Sequence, residues 1–136
     1  MRQLAYFLSA ICMLLATSCD KETVKGNSAV KSNNATLTGN WKLVQSLADP
    51  GDGSGTWQPV ATSTSLAFNA DGTTNGSTFP NYIAYTLSAT TDITFSQADK
   101  TTQNYRFTIS HDTLSISPDG PIRCTEACGI RFVKTN

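Results

Sequence analysis

The residues of this 136-residue chain best equipped for chemistry are four cysteines, one histidine and a scatter of aspartates. Cys124 and Cys128 flank Thr-Glu-Ala. In an exported protein that spacing predicts a disulfide, stabilising the fold by about 2 kcal/mol through the unfolded chain. A redox pair usually keeps the shorter Cys-x-x-Cys spacing. A zinc site would need two further ligands, and the only histidine, His111, falls in a turn elsewhere. His111-Asp112 has the composition of an acid–base pair, but neighbours in a two-residue turn point apart and no nucleophile accompanies them. The run Asp49-Pro50-Gly51-Asp52-Gly53-Ser54-Gly55 lacks the alternating acids and distal glutamate of a calcium loop and reads as a flexible lid. No catalytic constellation emerges, so the expectation is a non-enzyme without metal or cofactor.

The first nineteen residues carry a different kind of chemistry. Arg2 precedes an apolar run from Leu4 to Leu15, and the small residues Ala16-Thr17-Ser18 lead into Cys19. The run is too short to span a bilayer, which takes roughly 20 apolar residues, and reads as a secretory signal. Leu15-Ala16-Thr17-Ser18-Cys19 resembles a bacterial lipobox. That resemblance implies cleavage after residue 18 and acylation of Cys19 with chains such as palmitate. It also implies export to the bacterial cell envelope and a lipid anchor, with the outer membrane as the expected address. Several acyl chains hold a protein stably where one does not. With Cys12 discarded and Cys19 lipidated, Cys124 and Cys128 are left as one even pair. An ordinary signal peptide with a cysteine near its cleavage site is the alternative.

Residues 19–36 are rich in Lys, Glu, Gly, Asn, Ser and Ala and cannot bury enough surface to offset their ordering entropy. They read as a tether reaching roughly 23 Å root-mean-square. Residues 37–136 then form a single domain. Ten basic residues balance ten acidic ones and no basic stripe exists, so nucleic acid is not an expected partner. The membrane is reached through lipid and not through charge, and a monomer is expected.

From Leu37 onward, apolar and polar residues alternate in short runs: Trp41, Leu43 and Leu47; Leu66 and Phe68; Ile83, Tyr85 and Leu87; Ile93 and Phe95. Tyr105, Phe107 and Ile109, then Leu114 and Ile116, then Ile130 and Phe132 continue the series. Period two is the mark of strands with one face on a core, and the Asn, Asp, Gly and Pro between the runs suit tight turns. Eight strands are predicted, over 39–47, 64–69, 73–79, 82–88, 92–97, 103–110, 113–117 and 128–134. An even number of up-and-down strands returns the last beside the first, so the sheet can close into an eight-stranded antiparallel barrel without edges. A two-sheet sandwich is the competing architecture.

Gly39-Asn40-Trp41 at the head of the first strand matches the Gly-x-Trp of lipocalins. The long first loop (48–63), the Phe68-Asn69-Ala70-Asp71-Gly72 hairpin and the final Arg131-Phe132-Val133-Lys134 strand resemble short bacterial lipocalin-like lipoprotein domains. The resemblance implies that Gly39 and Trp41 plug the closed end of the barrel. It further implies a basic residue from the last strand lying across the indole, Arg131 first and Lys134 second. The connections 48–63, 80–81, 97–102 and 118–127 then gather at the open end. Leu66, Phe79, Ile83, Phe95, Tyr105 and Ile130 are expected near that mouth, with Trp57 on the long loop and Arg123 beside the last connection. Such a mouth would take a small hydrophobic or amphipathic ligand. The alternative is a non-catalytic envelope scaffold whose barrel is filled by these same side chains. If the lipobox reading holds, Cys19→Ser shifts the protein from the membrane to the soluble fraction on cell fractionation. Retention of that variant in the membrane would refute it.

Overall fold

The computed structural model describes residues 36–135; the signal segment, Cys19 and the tether up to residue 35 lie outside the described residues. Alternating sequence produces strands wherever turn residues release the chain: β1 (Gly39–Ala48), β2 (Gln58–Pro59), β3 (Ser65–Phe68), β4 (Thr74–Asn75), β5 (Tyr82–Leu87), β6 (Asp92–Gln97), β7 (Thr102–Ser110), β8 (Thr113–Pro118) and β9 (Cys128–Thr135). In β7 the period is visible residue by residue. Gln103 and Phe107 are buried, while Thr102, Asn104, Arg106, Thr108 and Ser110 are exposed. Several turns are set by one local device, an aspartate whose carboxylate accepts the backbone N–H two residues on. Asp71 does so from Thr73 at 2.9 Å and Asp99 from Thr101 at 2.8 Å.

The ladder runs β4-β3-β1-β9-β8-β7-β6-β5, with β2 paired to β1 off this path. The first and last long strands are therefore neighbours in the middle of the sheet, matched from Asn40↔Thr135 to Ala48↔Cys128. The two remaining edges approach through the bridge Thr73↔Ala84 and a Tyr85 N–H bond to the Gly72 carbonyl at 2.8 Å. An all-β antiparallel sheet thus nearly closes into a barrel of eight staves, and the first and last strands lie in one layer, as a barrel requires.

Two expected strands differ in detail. The strand expected over 73–79 is regular only at Thr74–Asn75. Gly76 has φ +137°, and a Cβ there would fall 2.3 Å from the Ser65 carbonyl oxygen, so the backbones pass too closely for a side chain. Beyond it, hydroxyls take over from the ladder: Ser65 N–H donates to Ser77 Oγ at 3.1 Å, and Thr64 and Thr78 share a hydrogen bond of 2.6 Å. The second difference is β2, a short strand inside the long first loop, which pairs Pro59 with Gln45 and Gln58 with Ser46.

Trp41, Phe68, Phe95, Phe132, Leu37, Leu66, Ile93, Leu114 and Ile116 are fully buried inside the barrel. Trp41 seals one end, its indole N–H donating to the Leu37 carbonyl at 2.7 Å. The basic residue over this indole is Lys134, with Nζ 5.2 Å from the ring centroid and bonded to the Thr36 carbonyl at 2.8 Å. Arg131, expected there first, lies elsewhere for a reason of parity. Phe132 faces the core and alternate residues share a face, so Lys134 joins it while Arg131 must point outward. Its guanidinium sits 3.8 Å over the Trp57 ring on the outer surface. Trp41→Ala should lower the unfolding free energy by about 3–5 kcal/mol, and Arg131→Ala by no more than about 1 kcal/mol. Urea denaturation of both variants measures the difference, and equal losses would contradict this assignment of roles.

Candidate ligand site at the barrel mouth

The connections opposite Trp41 are residues 49–64, 76–81, 98–101 and 119–127. Strand parity sends Phe95 and Tyr105 inward beneath them, and the 76–81 connection folds back to add Phe79 and lead into Tyr82. These four rings meet at centroid distances of 5.3 to 5.9 Å, and Phe68 continues the stack 5.8 Å below Phe95. Contact at such distances is the ordinary geometry of packed aromatic side chains. The aromatics form a floor across the barrel. Above it a cleft of about 270 Å³ is lined by Leu47, Phe79, Tyr105, Ile116 and Ile130, with Ser46 and Cys128 at its rim. A smaller cleft of about 220 Å³ lies on the other side of Phe79 and Tyr105.

Polar bonds fix the rim. The buried Gln103 amide reads the backbone of Ile122 in both directions, donating to its carbonyl at 2.8 Å and accepting its N–H at 3.0 Å. Asp119 N–H donates to the Asn104 carbonyl at 2.7 Å, which ties the last connection to β7. Cys124 and Cys128 are joined as a disulfide, with Cα atoms 6.1 Å apart. Beside it, Asp49 N–H donates to the Ala127 carbonyl at 2.9 Å. The Asp49 carboxylate meanwhile accepts the N–H groups of Gly51, Gly53 and Gly55 at 2.8, 3.1 and 3.0 Å. Those backbone bonds, Gly51 foremost, hold its pKa below the usual carboxylate value. The glycine-rich loop expected as a flexible lid is folded around this one side chain, whose oxygens are occupied by the loop's own amides.

Of the residues expected at the mouth, Phe79, Tyr105 and Ile130 line the larger cleft. Leu66 and Phe95 are fully buried and belong to the core. Ile83 is 52% exposed, because a register shift between Tyr82 and Ala84 adds one residue and turns it outward. Trp57 lies on the outer wall, where Gly129 makes room for it: a Cβ on Gly129 would come 3.1 Å from the indole. Arg123 is paired with Asp119 at 3.6 Å on the outside and does not reach the cleft. Ser46, Leu47, Ile116 and Pro118 were not anticipated as lining. Ile116 shares the face of Leu114 in the sequence pattern. Leu47 stands in the apolar series of β1, whereas Ser46 follows the irregularity between Leu43 and Gln45, which no alternation rule announces.

Tyr105 is the most perturbed titratable group of the site. Burial first, then the charge of Tyr82 and a hydrogen bond with it, push its phenol from 10.0 up to about 12. A pKa raised on folding contributes stability that is present below the unfolded value and lost as pH climbs through the folded one. Unfolding free energy should therefore fall between pH 10 and about 12 more steeply in the parent than in Tyr105→Phe. Denaturant melts across that window, paired with tyrosinate absorbance, measure it; identical slopes would contradict the burial of this hydroxyl.

No curated protein and no solved structure matches the chain. Residues 37–122 match the lipocalin-like domain family, a stretch running from the Trp41 plug to the pinned Ile122. β9 lies beyond the match and completes the barrel that those residues begin. The Gly-x-Trp plug, the strand meander and this match together make the chain a member of the lipocalin-like domain family.

Proposed function

We propose that this protein is a non-catalytic, lipid-anchored binding protein of the cell envelope that takes a small hydrophobic or amphipathic ligand at the barrel mouth. The observation carrying this reading is the cleft of about 270 Å³ with its apolar wall of Leu47, Phe79, Ile116 and Ile130. Ligand sites in proteins are concave and mostly apolar with a few placed polar groups, and most measure roughly 300–1,000 Å³. A volume just below that range suits a compact molecule and not a long chain. Membership of the lipocalin-like family supports a binding barrel. The Leu15–Cys19 sequence supports the anchor.

The aromatic floor favours one second reading. Below Phe95 the interior is filled by Phe68, Ile93, Leu114 and Phe132, as in a scaffold that uses its loops for contact. The two readings part on a single measurement. Because Trp57 lies on the outer wall, indole emission does not report on the cleft, and backbone amide chemical shifts do. Titration of the isotope-labelled domain with a panel of charged and uncharged small amphiphiles should move the amides of Ser46, Tyr105 and Ile130 together. Ile130→Phe, which projects a ring into the cleft, should weaken the responding compound at least about tenfold. A panel that moves no mouth amide would leave the scaffold reading in place of this one.

A further inference from the structure

Phe79 and Tyr105 line both mouth clefts, so their rings, 5.4 Å apart, form a partition between two compartments of unlike chemistry. The larger compartment is apolar. The smaller adds Thr78, Asn81, Tyr82 and Gln97, which offer hydroxyls and side-chain amides. Among the described residues that line either cleft, none carries a charge. Lys42 and Lys100, the latter in the 98–101 connection, are not among the lining residues, and the other four cations of the described domain are engaged elsewhere. Arg106 and Arg123 flank Asp119, Arg131 covers Trp57, and Lys134 lies over Trp41.

From this arrangement we infer that the mouth selects an uncharged amphiphile. Its apolar body would lie against Leu47, Ile116 and Ile130, and its neutral hydroxyl, aryl-amine or amide head would reach Asn81 and Gln97. This rests on the mouth being the binding site. A carboxylate or sulfonate head entering the smaller cleft would shed water without gaining a cation, and an unpaired desolvated charge is costly. A neutral donor or acceptor meets groups able to satisfy it.

Two fluorescent probes that share one skeleton isolate the charge. N-phenyl-1-naphthylamine is neutral, and 8-anilinonaphthalene-1-sulfonate is the same ring system with an added sulfonate. The folded domain should bind the neutral probe at least about tenfold more tightly than the sulfonate, with little dependence on salt. Asn81→Lys, which sets a cation at the smaller cleft, should bring the two affinities to within about threefold of one another. Circular dichroism and the thermal midpoint check that this variant is folded; if it is not, Gln97→Lys makes the same test from β6. Equal binding of both probes by the parent, or a folded lysine variant that still rejects the sulfonate, would overturn the inference while leaving the mouth as the site. Binding of neither probe, together with unmoved mouth amides in the titration above, would remove the site itself and the inference with it.

Discussion

The pairing of β1 with β9 is the constraint on which the rest of the barrel depends. It joins segments nearly the full length of the domain apart, so its loop-closure cost must be met before the ladder returns anything. What it returns is large: partners run from Asn40↔Thr135 to Ala48↔Cys128, the longest ladder in the sheet. Through it Trp41 is set beside Lys134 and Leu43 beside Phe132, and the remaining staves take their places by short hairpins. The opposite seam, between β4 and β5, is held by one bridge, one backbone bond and the Tyr85 hydroxyl, which donates to the Asn69 carbonyl at 2.9 Å. Strength is concentrated where the chain ends meet, and the mouth connection bearing Phe79 springs from the weaker side.

Size explains why the cleft is shallow. An eight-stranded barrel is wide enough either to be filled by side chains or to hold one small ligand. A chain of this length cannot afford to leave its interior hollow, because a small domain already buries a modest share of its surface. The aromatics fill the lower barrel, and the apolar mouth cleft lies above Phe95. Family membership and a mostly solid interior are therefore compatible.

Most of the fold was legible because antiparallel strands with one buried face write their period into the sequence. β6, β7 and β8 begin and end within about a residue of the apolar alternation that announces them. Two of the differences share a cause: a single inserted or displaced residue reverses every side chain beyond it. The bulge at Ile83 turned an expected lining residue outward, and the irregularity after Leu43 set Ser46 opposite Ile130 at the cleft. The family role named Arg131 first, but Phe132 next to it states the parity that sends Arg131 outward and Lys134 to the indole. Trp57 was invisible for another reason. Its seat on the outer wall depends on Gly129, some seventy residues away, and no local pattern couples the two. Gln103 reads in sequence as an ordinary strand residue, yet it secures the last connection by copying a backbone hydrogen-bonding edge.

The ladder of β1 and β9 also decides how the domain hangs. The described chain enters at Thr36 beneath the indole stopper and departs at Thr135 next to Asn40, both at the same pole. Anything that grips the polypeptide ahead of Thr36 therefore holds the barrel by its base. The loops around Phe79 and Ile122 are then presented outward, away from whatever does the holding.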